Sequence, residues 1–327
     1  MLELMTEPWL GKPIWMWASF AGIVVVLLAL DLGVLHRKHK EIGVRESLAL
    51  SAGYITLGLG FGAWVWFELG RQAGVEYLTG FLVEKSLALD NVFVIATIFA
   101  AFAIPAAYQH RVLFWGVLGV IVLRGIMIGA GAALVSQFEW LLLVFAGFLI
   151  LMGIKMFGAS TAPKNPLDSK MYRWVASRMR LTDGLREHRF FVREPGPGGK
   201  TVLWATPLFM ALVMVELADV IFAVDSVPAI FAITTDPYLV YTSNIFAILG
   251  LRALYFALAA VVARFAYLKK ALALLLVFIG AKVFVAEAMG WEKFPAIVSL
   301  TVTAALLAGG VVYSLIKTKA AAPAVAP

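Results

Sequence analysis

The chain has no cysteine and little charge: only 14% of its 327 residues are Asp, Glu, Lys or Arg, against about 25% in ordinary soluble domains. The lack of thiols excludes disulfides, thiolate metal sites and cysteine nucleophiles. The sequence also contains no HExxH, GxSxG or Walker phosphate-binding pattern, so no hydrolytic machinery is recognisable and we do not expect an enzyme. The four histidines all lie in the connections between the apolar segments, so these segments contain no imidazole metal ligand.

Apolar residues make up 62% of the chain and are gathered into long runs. A helix needs about 20 such residues to cross a bilayer. The runs predict an all-α polytopic membrane protein with about nine transmembrane helices. The predicted spans are 14–35, 48–68, 78–104, 112–135, 140–158, 204–232, 240–262, 270–289 and 295–316.

Lysine and arginine are distributed unevenly between the connections of these nine spans. Nineteen fall in the connections of one side and three in those of the other. Because basic residues stay in the cytoplasm, this distribution places the N-terminus outside and the C-terminus in the cytoplasm. It also explains the net charge of +7 without nucleic acid as a partner, and it predicts anionic lipids beside the basic cytoplasmic connections.

One polar segment, 159–203, divides the spans into groups. Its Met171, Trp174, Val175 and Met179 recur at helical spacing among basic residues, which predicts a short helix on the inner leaflet, with a solvated linker as the alternative. The PGPGG at 195–199 predicts a flexible hinge. The resulting regions are 1–77 (spans 1 and 2), 78–158 (a three-helix unit), 159–203 (the basic linker), 204–289 (a second three-helix unit) and 290–327 (the last span and a disordered tail).

The sixth span carries three acids, Glu216, Asp219 and Asp225, within an otherwise apolar run. A charged side chain at the bilayer centre costs roughly 2.5–3.5 kcal/mol on insertion scales. Ionisable groups at this depth commonly mark ion paths and proton relays. We therefore expect these acids to form part of a cation site in a transporter.

The third span repeats the pattern of the sixth. ALDNV (88–92) matches AVDSV (223–227), and this match also pairs Glu84 with Asp219. Further on, an arginine and then a Gly-x-Lys-x-Phe sequence recur in the same order in both copies. Each copy covers three spans, so the second enters the membrane from the opposite side. This predicts an inverted repeat of spans 3–5 and 6–8, an architecture typical of alternating-access transporters.

The polar positions of the two copies form the candidate metal site. Carboxylate, amide and hydroxyl oxygens suit Mn²⁺, Mg²⁺ or Ca²⁺. We expect Asp90 and Asp225 to contact the ion directly, with Pro228 kinking or unwinding the helix at Asp225. The remaining acids would be an access relay or additional ligands. The candidate ligands are Asp90, Asn91, Asp225, Ser226, Glu84, Glu216 and Asp219.

Five basic residues also lie within the two three-helix units and balance the five acids among the candidate ligands. Their role is either ion pairing and gating during transport or static salt bridges that hold the bundle. Buried ion pairs are a poor route to stability, which favours the first interpretation. Protons are expected as the coupling ion, because carboxylates exchange protons for metal. The basic residues are Arg124, Arg252, Lys85, Lys155 and Lys282.

Three stretches, ALDLGVLHRKHK, SLALDNVFV and ATPLFMALVMVELADVIFAVDSVPAIFAIT, resemble the TerC/Alx family of bacterial integral membrane proteins, which is grouped with the LysE-type transporter superfamily. The resemblance extends from about residue 15 to 316. It implies Mn²⁺ export across the bacterial inner (plasma) membrane and a link to tellurite resistance, whereas the residues alone indicate only a hard divalent cation. We expect no resident cofactor. Export of another cation, such as Ca²⁺ or a cationic amino acid, remains an alternative. So does a membrane scaffold or assembly factor that acts through 159–203.

Overall fold

The computed structural model describes residues 6–33, 44–158, 165–195, 200–258, 268–291 and 293–321. Within them the main elements are helices and two short antiparallel hairpins. The hairpins are β1 (Pro8–Trp9) with β2 (Lys12–Pro13), and β3 (Phe191–Pro195) with β4 (Thr201–Ala205). The α-helices are α1 (Ile14–Gly33), α2 (Val44–Leu69), α3 (Arg71–Ala101), α4 (Ala106–Gln137), α5 (Leu141–Gly158), α6 (Lys170–Ala176), α7 (Pro207–Phe231), α8 (Pro237–Leu249), α9 (Leu251–Leu258), α10 (Leu268–Ala288) and α11 (Ala296–Ala321).

The long helices follow the predicted spans and confirm an all-α polytopic membrane protein. Among the described residues, six helical stretches are long and apolar enough to cross a membrane, in α2, α4, α7, α8 with α9, α10 and α11. Helices α1 and α5 contain shorter apolar stretches. Helix α3 begins at Arg71, seven residues before the predicted 78, because Gly70 (φ 91°) supplies the sharp turn that separates it from α2.

Helix α7 differs from the prediction at Pro228. It remains α-helical from Pro207 to Phe231 instead of unwinding at Asp225. Pro228 lies in the last turn, among the buried Val227, Ala229, Ile230 and Phe231, whose packing holds the helix together there. The chain breaks instead at Gly250, where the seventh predicted span divides into α8 and α9.

The polar segment between the two three-helix units is more ordered than a linker. Ser169 caps α6 by accepting a hydrogen bond from the Tyr172 amide at 3.0 Å. Val175 of α6 is buried against the helix bundle, and Met171 and Met179 pack on the same cluster. The bundle therefore covers most of the apolar face that was expected to lie on the lipid, while Trp174 stays exposed.

Sequence reasoning missed the β3–β4 hairpin in this segment. Its register pairs Phe191 with Ala205 and Pro195 with Thr201. The predicted sixth span began at 204, but Trp204 belongs to β4 and α7 starts at Pro207, a favourable first helical residue. The predicted hinge falls largely on 196–199, outside the described residues.

Helices α5 and α10 pack closely at two glycines. A Cβ atom on Gly153 would lie 2.7 Å from the Ala273 carbonyl oxygen, and one on Gly280 would lie 2.5 Å from the Ala146 carbonyl oxygen. Only glycine lets the two backbones approach this closely. The contacts are reciprocal, since a shift of 127 residues converts Gly153 and Ala146 into Gly280 and Ala273.

Candidate cation site around Arg124

Arg124 of α4 is fully buried, and its guanidinium contacts four side chains. Its Nη1 donates to Glu84 Oε1 at 2.6 Å, to Ser226 Oγ at 2.9 Å and to Asn244 Oδ1 at 3.1 Å. Its Nε and Nη2 donate to the two carboxylate oxygens of Asp219, at 3.2 and 3.0 Å. This fork is the bidentate arrangement that Arg and a carboxylate favour. We call these five residues the Arg124 cluster.

Three helices bring the partners of Arg124 to one point. Glu84 comes from α3, and Asn244 comes from α8. Asp219 and Ser226 both come from α7, and residues seven apart differ by only about 20° around a helix of ~100° per residue. The same spacing places Asn91 on the Glu84 face of α3. In each copy of the repeated motif, the first acid and the second polar residue therefore lie on the same helix face. These pairs are Glu84 with Asn91 and Asp219 with Ser226.

The electrostatics of the Arg124 cluster are incomplete. It contains two carboxylates and one guanidinium, with a formal charge of −1, so one negative charge has no counter-charge within it. Glu84 Oε2 and Asn244 Nδ2 are buried and have no protein hydrogen-bond partner. A buried polar group left unpaired costs about 1–3 kcal/mol. Glu84 Oε2 is therefore an unused acceptor that a further cation or a proton would satisfy, whereas Asn244 Nδ2 is a donor without an acceptor.

Two other candidate ligands lie on the same side of the bundle as Asp219. Asn91 is buried, and its Oδ1 has no hydrogen-bond partner. Glu216 lies one turn before Asp219, and its Oε2 is also unpartnered. A Cβ atom on Gly119 of α4 would overlap the Glu216 carboxylate, so this glycine provides the space that the carboxylate occupies.

Asp90 and Asp225, the residues expected from sequence to contact the ion directly, occupy a different helix face. Asp225 lies about 120° around α7 from Asp219. Lys155 of α5 lies close enough to Asp225 to interact with it electrostatically. The uninterrupted helix through Pro228 keeps Asp225 in this direction. Asp90 holds the matching position of α3, but its side chain lies outside the described part of the structure.

Of the other basic residues, two lysines contact neutral oxygen atoms. Lys85 donates to the Ala247 carbonyl at 3.0 Å, just before the break at Gly250. Lys282 is buried and donates to Ser299 Oγ at 2.9 Å. Arg252 is buried at the start of α9. Arg124 lies between two acids of the predicted site, Glu84 and Asp219.

Two cavities lie on opposite sides of the Arg124 cluster. A large cavity of about 780 Å³ is lined on α3 by Gln72, Glu76 and Thr79 and reaches Phe231 at the end of α7. A small cavity of about 20 Å³ is lined by Asn91, Gly116, Asp219 and Arg252, among apolar residues. Along α3 the order is large cavity, Glu84, small cavity. Five residues, about 7.5 Å of helix, separate Thr79 from Glu84.

The described side chains do not form a preassembled metal site. Among them, no three His, Asp or Glu residues are grouped closely enough to hold a metal ion. Within the Arg124 cluster, two carboxylates, a hydroxyl and an amide oxygen converge, but the guanidinium occupies the point where they meet. A divalent cation at this point would have to displace Arg124, and the oxygen donors that it would meet are of the hard type.

The sequence analysis missed Asn244. Its signal was present, because Thr242, Ser243 and Asn244 form a polar triplet within an apolar span. Thr242 and Ser243 bond back to the carbonyls of Tyr238 and Val240 on their own helix. Asn244 makes no such bond, since its Nδ2 has no protein partner, and its Oδ1 accepts from Arg124 instead. An amide in a membrane span was therefore a site candidate in its own right.

Fold and site together define the class of protein: a polytopic helical membrane protein with a charged cluster buried between two cavities. The chain belongs to the integral membrane protein TerC family, whose model matches residues 69–322. The match includes the whole Arg124 cluster and both cavities.

Several relatives align over nearly the full chain. An uncharacterized membrane protein of Myxococcus xanthus is 48% identical over 314 residues, covering 96% of each chain. One of Rickettsia bellii is 46% identical, covering 92% of this chain and 97% of its own. A third, from Escherichia coli K12, carries the name "Putative membrane-bound redox modulator Alx" and is 46% identical, covering 91% of this chain and 92% of its own. No solved structure matches the chain.

Proposed function

We propose that this protein is a secondary transporter of the bacterial inner membrane that exports a hard divalent cation, with Mn²⁺ as the favoured substrate. The observation that carries the proposal is the position of Arg124. A cation already lies between Glu84 and Asp219, where side chains of four helices converge. The large cavity lies on one side of this point, and the small cavity, which Asp219 lines, lies on the other. A transported cation would use the same carboxylates.

The ligands we assign to the ion are Glu84, Asp219, Ser226 and Asn244, whose oxygens already surround one cationic group. Asn91 and Glu216 lie towards the small cavity and would receive the ion on its way to them. Asp90 and Asp225 remain candidates for a relay on the neighbouring helix face. Hard oxygen donors suit Mn²⁺ better than a soft metal.

Pseudo-twofold symmetry supports alternating access. Gly153 packs against Ala273, and the equivalent Gly280 packs against the equivalent Ala146. Such reciprocal contacts are expected when two copies of one unit pack about a twofold axis. Glu84 and Asp219, which correspond in the sequence repeat, both bind one guanidinium. We therefore take spans 3–5 and 6–8 as an inverted repeat around the site.

The orientation assigned from the basic residues places the large cavity on the outer face. In this arrangement the structure corresponds to a state open towards the outside, with Arg124 in the site after the ion has left. Inward protons would balance the exported charge, since carboxylates exchange metal for protons. The basic residues of 165–195 would face anionic lipid headgroups on the cytoplasmic side.

The test is transport by the purified protein in proteoliposomes. We expect Mn²⁺ accumulation that depends on a proton gradient and is lost in Glu84→Gln and Asp219→Asn. Asp168→Asn, which neutralises an exposed carboxylate that lines neither cavity, should transport normally. Equal transport by Glu84→Gln and the parent protein would contradict the assigned site. Accumulation of Ca²⁺ but not of Mn²⁺ would show that Ca²⁺ is the substrate instead.

A further inference from the structure

The small cavity has the composition of a second arginine-binding site. In the sequence repeat, Arg252 corresponds to Arg124 and Asp219 to Glu84. The same two alignments pair Asn91 with Ser226 and Gly116 with Asn244. If each partner of Arg124 is replaced by its equivalent in the repeat, Arg252 is expected to be surrounded by Asp219, Glu84, Asn91 and Gly116. The small cavity is lined by Arg252 itself and by three of those four residues, Asp219, Asn91 and Gly116.

One acceptor in the small cavity is unused. Ser226 Oγ accepts a hydrogen bond from Arg124 at 2.9 Å. Its counterpart, Asn91 Oδ1, is buried and accepts none. Asn91 is only 5% exposed, so bulk water does not compensate for the missing donor. A cavity of about 20 Å³ admits roughly one water-sized group.

We propose that Arg124 and Arg252 alternate in binding Asp219 during the transport cycle. In the alternate state, the large cavity closes and the small cavity widens towards the cytoplasm. Arg252 then donates to Asn91 Oδ1 and to Asp219, and Arg124 releases Ser226. This inference rests on the proposed alternating access. It assigns Asn91 and Ser226 as matched positioning residues, each of which stabilises one of the two states by binding one arginine.

The break between α8 and α9 gives Arg252 a means to move. Arg252 is the second residue of α9, which begins directly after Gly250. A Cβ atom on Gly250 would lie 2.9 Å from Tyr54 Cβ and 3.0 Å from Lys85 Nζ. This close packing fixes the end of α8, so a rotation at Gly250 would move α9 and Arg252 relative to the rest of the bundle.

The chain contains no cysteine, so single cysteines can report which cavity is open. Leu113→Cys reports on the small cavity, and Ala286→Cys reports on the large cavity. Neither residue lies on α3 or α7, so substitutions at Asn91 and Ser226 do not alter the reporter's own helix. The rate of maleimide labelling is measured in nanodiscs, where the reagent reaches both faces.

The two positioning residues should act in opposite directions. Asn91→Leu removes the acceptor for Arg252, so labelling of Leu113→Cys should slow. Ser226→Ala removes an acceptor for Arg124, so labelling of Leu113→Cys should accelerate and that of Ala286→Cys should slow. A charge-assisted hydrogen bond corresponds to a change of about tenfold or more. The conservative variants Asn91→Ser and Ser226→Thr keep an acceptor and should remain near the parent rates.

The labelling experiment needs no transported ion, which separates this inference from the proposed function. Opposite shifts without any cation transport would support the arginine exchange and contradict the transporter proposal. Transport with unchanged labelling in both Asn91→Leu and Ser226→Ala would overturn the exchange alone. A shift in the same direction in both variants would also overturn it, because it would indicate general loosening of the bundle.

Discussion

Replacing Arg124 should destabilise the bundle because it leaves Glu84 and Asp219 buried without their shared counter-charge. Removing one partner of a buried ion pair typically costs about 3–5 kcal/mol. Arg124 makes five hydrogen bonds to four side chains, so we expect Arg124→Met to lose at least that amount. Unfolding of the purified protein in detergent, followed by circular dichroism, measures the loss.

A matched series separates the charge effect from lost packing. The triple variant Arg124→Met/Glu84→Gln/Asp219→Asn has no unpaired charge and should recover most of the stability, because replacing a whole buried ionic group is often nearly neutral. Arg186→Met is the control, since Arg186 pairs with Glu194 on the exposed hairpin segment. It should unfold as the parent does. The reasoning would be refuted if Arg124→Met were as stable as the parent protein. It would also be refuted if the triple variant were no more stable than Arg124→Met.

Mn²⁺ should affect the same variants differently. In the parent, the ion has to displace Arg124, whereas in Arg124→Met the two carboxylates are already available. A ligand at 100 times its Kd stabilises by about 2.7 kcal/mol. Mn²⁺ should therefore raise the unfolding midpoint of Arg124→Met more than that of the parent. Equal shifts in both proteins would show that the ion binds elsewhere.

The remaining predictions concern packing, the neighbouring acid and the cytoplasmic segment. Gly153→Val should lower the unfolding temperature, because overpacking costs about 1–3 kcal/mol. Gly147→Ala should not lower it, since a Cβ atom there would meet nothing nearer than 3.9 Å. Equal unfolding temperatures for the two variants would contradict the close crossing of α5 and α10. Asp225→Asn should reduce Mn²⁺ transport less than Asp219→Asn in proteoliposomes, and the reverse order would restore Asp225 as the direct ligand. Replacing the hairpin residues 191–205 with a short linker should leave Mn²⁺ binding intact, and loss of function with intact binding would favour the scaffold alternative.

Hydrophobicity alone sufficed to predict the spans. A helix in lipid must be apolar over about 20 residues, so a span can be predicted from a single continuous stretch of sequence. The ends of the helices were less predictable, since turns such as Gly70 and caps such as Ser169 depend on single residues. The β3–β4 hairpin was missed because its five-residue strands were read as polar linker and as the start of a span.

The charged residues of the site were predictable as a group but not in their arrangement. Glu84, Asp219, Ser226 and Arg124 stood out because charge and polarity are costly in an apolar span. Their convergence depends on helix rotation, and the expected break at Pro228 misdirected that reasoning towards Asp225. Asn244 escaped notice because a neutral amide adds little to a charge count. Only the packed structure shows that it completes the binding of Arg124.

The central claim is that the Arg124 cluster is the binding site of the transported cation. Electron paramagnetic resonance of free Mn²⁺ during titration of the purified protein tests it most directly, because bound Mn²⁺ loses its sharp signal. We predict one saturable site that is lost in Glu84→Gln and in Asp219→Asn and binds more tightly in Arg124→Met. Unchanged Mn²⁺ binding in Glu84→Gln and Asp219→Asn, with both proteins folded, would contradict the account.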